Sequence, residues 1–175
     1  MRTLATALCT LEPQVAAHAA EMFQVLGDPA IYEFENAPPE SEERLAQRYA
    51  RLETRLSNDG VEHWLNWVIR LPDGKLAGYV QATVVAGGVG YVAYELASRY
   101  WRRGIGSCAV RALIGELGTQ YGVRTVVAVL KARNHRSLAL LEHLGFERAD
   151  PAQSAAHGAE EDEIVMMRAG KAGGE

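Results

Sequence analysis

The chain has few of the residues that would mark it as a metal, disulfide or membrane protein. It has two cysteines, Cys9 and Cys108, far apart in its 175 residues. They form neither a disulfide framework nor a metal-ligand cluster. Five histidines are scattered without HxxxH or CxxC partners, so no metal is expected. No apolar run approaches the roughly 18 residues of a membrane span. Met1-Arg2-Thr3-Leu4 leads into no sustained apolar core of an export signal, so a cytoplasmic location and no membrane partner are expected. Basic excess is missing too: the net charge is −4, which argues against sequence-independent nucleic-acid binding. Neither disorder nor internal repeats show. Hydrophobic residues make up 48% and charged residues 23%, the balance of one soluble domain with a core of its own. That domain is expected over residues 1–168, with 169–175 as a flexible tail.

Periodicity predicts the order β-α-α-β-β-β-α-β-α-β-β. Residues 3–10 read as a strand, and 12–26 as a helix ended by Gly27-Asp28-Pro29. Ser41 opens a second helix reaching about Leu56. Strands follow at 64–71, 75–85 and 89–96, joined by Pro72-Asp73-Gly74 and Gly87-Gly88. From Gly104 the apolar period becomes helical, up to Gly122. A β-branched strand at 123–130 leads to a short helix at 134–144, then strands at 146–149 and 163–167. Residues 150–162 read as an acidic loop. The order fits an α/β (α+β) fold, a mixed sheet with helices on both faces.

The chemistry concentrates where a strand ends near Leu96 and a helix begins at Gly104. Between them lies a basic loop with Arg99, Arg102 and Arg103 and no acid. The first turn of a helix has unpaired N–H groups and the positive end of the dipole. With Gly104 and Gly106 allowing close approach, the segment Arg102-Arg103-Gly104-Ile105-Gly106-Ser107 is a candidate pyrophosphate cradle. Gly104 to Ala109 also satisfies a GxGxxA dinucleotide fingerprint, but in the wrong context. The glycines do not directly follow a strand, and the next strand ends at Lys131 rather than at an acid.

This cradle, followed after one helix and one strand by Asn134-His135-Arg136-Ser137-Leu138-Ala139-Leu140-Leu141-Glu142-His143-Leu144-Gly145-Phe146, resembles the acetyl-CoA motifs of the GNAT N-acetyltransferase superfamily. Tyr100-Trp101 before the glycines is similar to the RimJ/RimL-type branch, as are Leu11-Glu12-Pro13, Gly27-Asp28-Pro29 and Pro39-Glu40-Ser41-Glu42-Glu43. The resemblance spans about residues 3–168. It implies a mostly antiparallel sheet of about seven strands and an acetyl-CoA-dependent transfer to a primary amine, by way of a ternary complex. It places the pyrophosphate on residues 102–107 and pantetheine beside Asn134 and Ser137. Main-chain groups of Leu96 and Ala97 would touch the cofactor where their strand splays from its neighbour.

The resemblance also leaves gaps. Trp101 stands where the family's phosphate loop usually begins with Gln or Arg. Leu141 stands where many members place a Tyr that protonates the leaving thiolate, so Ser137 becomes the candidate donor. Glu95 is the carboxylate nearest the splay and the candidate base, since an ammonium must lose a proton before it attacks. Strand alternation puts Glu95 opposite Tyr94 and Leu96, so a solvent-facing side would make it a plain surface charge. Glu33 and Glu35 are rival acids. Cys108 reads as a small packed residue, and Trp64, Trp67, Tyr79 and Tyr91 read as sheet core. The acceptor amine is not legible. A homodimer is compatible with the sequence, and a CoA-binding sensor with little catalysis is the competing function.

Overall fold

The computed structural model describes residues 1–170. Strands β1 (Leu4–Ala5), β2 (Thr10–Pro13), β3 (His63–Arg70), β4 (Leu76–Val85), β5 (Val89–Leu96), β6 (Thr125–Lys131), β7 (Glu147–Arg148) and β8 (Glu163–Ala169) form one sheet in the order β1-β2-β3-β4-β5-β6-β8-β7. Helices are α1 (Ala19–Val25), α2 (Glu42–Leu52), α3 (Ile105–Tyr121), α4 (His135–His143) and α5 (Pro151–Ala156). The sheet is antiparallel except for β5 beside β6.

The sheet has eight strands rather than about seven because the expected first strand folds back on itself. Thr6 Oγ1 accepts from the Cys9 N–H at 3.0 Å and donates to the Cys9 carbonyl at 2.6 Å. That side-chain turn splits residues 3–10 into β1 and β2, since Thr readily bonds its own local backbone. The first helix is correspondingly shorter than expected: β2 and a 3-10 turn at Ala16–His18 take its opening residues. The second helix stops at Leu52, short of Leu56. Residues 150–162 are not all loop. Asp150 and Gln153 make a reciprocal capping box, with Pro151 in the first turn, and this nucleates α5. The expected tail begins inside β8, which includes Ala169; residues 171–175 lie outside those described.

Alternation on the central strands decides the layers. In β4, Val80, Ala82 and Val84 are buried in the core beneath α3, while Tyr79 and Gln81 lie on the opposite face, beneath α2. Gly90 belongs to the α3 face, where a Cβ would press on Val123 and Leu117. The α3 stripe Ala109, Val110, Leu113 and Leu117 is completely buried, as a core-facing helix requires. Its one buried acid, Glu116, accepts from the Arg2 guanidinium at 2.8 to 3.2 Å through both carboxylate oxygens.

Candidate active site

The parallel ladder between β5 and β6 is short. It pairs Val89 with Thr125, Gly90 with Val126 and Tyr91 with Val127, and then stops, although β5 continues to Leu96 and β6 to Lys131. The strands separate beyond Tyr91. Ala97 N–H donates to Ala77 O at 2.9 Å. The two-residue alternation of an antiparallel ladder therefore turns the main-chain groups of Tyr94 and Leu96 away from β4, into the opening. The Leu96 carbonyl accepts from Trp101 Nε1 at 2.8 Å, which leaves the Leu96 N–H directed at the gap. Ala97 departs from the expectation. Its N–H serves Ala77, its carbonyl accepts from Tyr100 N–H at 2.9 Å, and the residue is fully buried. Its main chain is committed inside the fold.

A groove of about 590 Å³ runs from this opening to the start of α3, lined by Leu96, Trp101, Arg102, Gly104 to Ser107, Asn134 and Ser137. Arg102 and Gly104 both have positive φ, 58° and 75°. This left-handed turn faces successive amides to one side and delivers them to the helix N-terminus, an anion-binding concavity. Gly104 is required by its backbone conformation. Gly106 has a different reason: a Cβ there would meet Leu140 Cδ1 of α4 at 3.1 Å, so it sets the close packing of α3 on α4 as well as lining the groove. Arg103 stacks over Tyr100, 5.9 Å from the ring centroid, and is absent from the groove lining. Asp28 ties the basic loop to the first half of the chain. Its carboxylate accepts from Ser98 N–H at 2.6 Å and from Ala30 N–H at 3.0 Å.

Asn134 caps α4, its Oδ1 accepting from Ser137 N–H at 3.1 Å. Arg136 is engaged by its neighbours. It stacks 4.0 Å over Trp101 and donates to Glu33 at 2.8 Å. Glu33, held in that pair, lines neither the groove nor the cavity that contains Glu95. Leu141 is buried in the core. Cys108 is half-buried on α3, outside the lining of the groove.

A second cavity of about 330 Å³ lies on the other face of the sheet, under α2 and residues 31–39. Glu95 lies here, so its side of β5 is neither solvent nor apolar core. The cavity and the groove share Ile31, Phe34, Tyr94, Glu95, Asn134 and Ser137; the two spaces meet at the end of β5. Glu95 Oε1 accepts from Asn36 Nδ2 at 3.3 Å. Burial raises the Glu95 carboxyl above its ordinary range and outweighs the opposing pull of the Tyr79 hydroxyl and the Asn36 amide. Glu35 also lines the cavity, and it too is raised, by burial and by the acids Glu163 and Asp162.

Several site residues escaped the sequence reading. Tyr79 belongs to the cavity beside Glu95 rather than to plain sheet core. Tyr94 has its hydroxyl directed at the Ser137 carbonyl, 3.4 Å away, with its pKa pushed up to about 12 by burial. Asn36, with φ 66°, sits in a stretch with no periodic signal. Polar residues embedded in buried strands, Asn66 in β3 and Gln81 in β4, were the legible hint, since a core row has no use for them.

The fold is shared with solved acetyltransferases. The ribosomal-protein-S5-alanine acetyltransferase from Vibrio fischeri superposes with a TM-score of 0.80 at 19% identity, over 97% of each chain. The ribosomal L7/L12 alpha-N-protein acetyltransferase RimL, in complex with coenzyme A, gives 0.80 at 16% identity, over 95% of this chain and 97% of that one. A phosphinothricin acetyltransferase from Sinorhizobium meliloti, in complex with acetyl-CoA, gives 0.68 at 24% identity, over 94% and 90%. No curated protein sequence matches significantly. Residues 9–147, most of the chain and all of the splay, match the acetyltransferase (GNAT) domain, and the chain therefore belongs to the GNAT family of acetyltransferases.

Proposed function

We propose that the protein moves an acetyl group from acetyl-CoA directly to a primary amine, with both substrates bound together. The observation that carries this reading is the meeting of two separate spaces at Glu95 and Ser137. One has the shape and amides for a phosphorylated thioester; the other is a partly open, polar and acidic pocket. The chain's fit to acetyl-CoA rests on the open edge of β5, the Leu96 N–H directed into it, and the amides at the start of α3. Neighbours of the same fold are solved with coenzyme A or acetyl-CoA bound, which supports the assignment. Acetyl-CoA supplies the activated acyl group.

The chain's own residues do the rest. Amides from Gly104 to Ser107 hold the pyrophosphate, and the Leu96 N–H polarises the acyl carbonyl. Glu95 binds the incoming ammonium and accepts its proton. Its burial makes it a stronger base than a surface carboxylate. The Ser137 side chain, at the junction of both spaces, provides a proton to the departing thiolate in place of the absent tyrosine at Leu141. Cys108 lines neither space, which favours direct transfer over an acyl-enzyme.

The test is calorimetric titration with acetyl-CoA, alongside a thiol-release assay over peptides, polyamines, amino acids and aminoglycosides. The expected result is binding together with amine-dependent release that Glu95→Gln lowers by about 10²–10⁴-fold. Binding with no release on any amine would instead make the protein a CoA-responsive sensor.

A further inference from the structure

The cavity beside Glu95 is lined by two residues that each carry a buried polar atom without a partner. Gln14 follows β2, and its main chain is held from both sides. Its N–H donates to Asn66 O at 2.9 Å and its carbonyl accepts from the Arg55 guanidinium. Tyr49 lies on α2, one turn beyond Leu45. The two residues are 3% and 4% exposed. Among the described residues, Gln14 Oε1 and the Tyr49 hydroxyl are the buried side-chain polar atoms without a hydrogen-bond partner. Both residues line the cavity of about 330 Å³. Orphaned buried polar atoms are few in native folds, and two in one cavity call for an occupant that bonds them.

The rest of the lining narrows the occupant. Asn66 and Gln81 stand opposite each other in the β3–β4 register, and Tyr79 and Glu95 form another row in the β4–β5 register. The cavity floor is thus neutral and polar, with its carboxylates at Glu95 and Glu35. Its one cation, Arg48, is exposed at the rim. A carboxylate-bearing body would face those two acids, and a hydrocarbon body would leave Gln14 and Tyr49 unbonded. A hydroxyl or a neutral amide offers both a donor and an acceptor, so it satisfies Gln14 in either orientation of that side-chain amide. Burial raises the Tyr49 phenol well above its ordinary range, which keeps it a donor at neutral pH.

We propose that Gln14 and Tyr49 form the specificity subsite for the acceptor, and that the acceptor is a primary amine bearing a neutral hydroxyl or amide close to the reacting nitrogen. This rests on the acetyl-transfer reading above. The shared lining sets the proximity: Gln14, Tyr49 and Glu95 face one pocket of about 330 Å³, so a group bonded to the first two lies close to an amine at Glu95.

A matched series tests it: L-alaninol, L-alaninamide, L-alanine and sec-butylamine. Binding to the CoA-saturated protein is measured by calorimetry, and kcat/KM is compared per unit of neutral amine. The hydroxyl or the amide compound should exceed sec-butylamine at least about tenfold in both measurements, with L-alanine below them. The better of the two identifies which neutral group the subsite takes. Tyr49→Phe, which removes one oxygen, and Gln14→Leu, close in shape, should each reduce that preference to about threefold or less. Acetyl-CoA affinity should be unchanged in both. Equal binding of sec-butylamine, preference for L-alanine, or a preference that survives both substitutions overturns the subsite. Selective binding without turnover would retain the subsite and overturn the acetyl-transfer reading instead.

Discussion

Gly78 stands opposite Leu96 and packs against the main chain of Glu95: a Cβ at Gly78 would overlap the Glu95 carbonyl oxygen and crowd the Leu96 Cα. The two strands approach at this point without room for any side chain between them. The glycine therefore holds the end of β5 at the depth where Glu95 enters the cavity and the Leu96 N–H enters the groove. Gly78→Ala must push β5 outward. Overpacking of this kind costs about 1–3 kcal/mol, which for a chain of this size is a fall of about 4–8 °C in Tm at 2 kcal/mol. The folded fraction should also lose kcat, because Glu95 shifts with its backbone. Calorimetric melting and steady-state kinetics on the variant check both.

Glu95→Gln should separate activity from stability. A positioned base is worth about 10²–10⁴-fold, so kcat should fall by that order. The loss should shrink as pH approaches the amine's own pKa. Burial raises the Glu95 carboxyl in the folded protein, so the folded state binds its proton more tightly than the unfolded chain does. Stability is therefore lost as pH rises from the unfolded value through the folded one, and none of that loss remains in acid. The variant should melt higher than the parent at neutral pH, and the difference should vanish near about pH 4. In kcat/KM profiles the parent's acid limb should lie above the usual carboxylate range and be absent from the variant.

At the phosphate cradle the two glycines should respond differently. Gly104 has a left-handed backbone, so Gly104→Val strains the turn that presents the amides, with its Cβ directed at Leu8. Acetyl-CoA affinity should drop at least about tenfold, or 1.4 kcal/mol. Gly106→Ala meets only the flexible end of Leu140, so it should shift stability modestly and affinity less. Titration of both variants, with circular dichroism as the folding control, decides this.

Ser137→Ala tests the proton donor. The α4 cap stays intact, because Asn134 bonds the Ser137 main-chain N–H rather than its hydroxyl. The variant should lower kcat more than it raises KM for acetyl-CoA. A change confined to KM would make the hydroxyl a binding contact, and proton donation would pass to Tyr94, whose hydroxyl lies nearby.

The sequence by itself determined the layers, the order of most elements and the cradle. These follow from local chemistry that does not depend on distant partners. Gly104 and Gly122 take left-handed conformations at the two ends of α3, and Ser41 and Asn134 cap their helices through their own side chains. Where competing local bonds decide the outcome, the sequence reading ran past the boundary. Thr6 folds one expected strand into a hairpin, and the Asp150–Gln153 box turns an expected loop into α5.

Only the tertiary structure decided what the acceptor side is made of. Alternation places Glu95 opposite Tyr94 and Leu96, but it cannot say whether that side meets solvent, core or a cavity. The answer depends on α2 and residues 31–39, which come from some 50 residues earlier in the chain and line a space over the sheet. Gln14, Tyr49, Asn66 and Gln81 lie on four separate elements or connections. They carry no shared spacing, and they come to line one cavity only when the strands align and the helix covers them. The proposed cofactor side was legible because its groove is lined by one contiguous segment at the start of α3. The acceptor side is built from side chains that packing brings together.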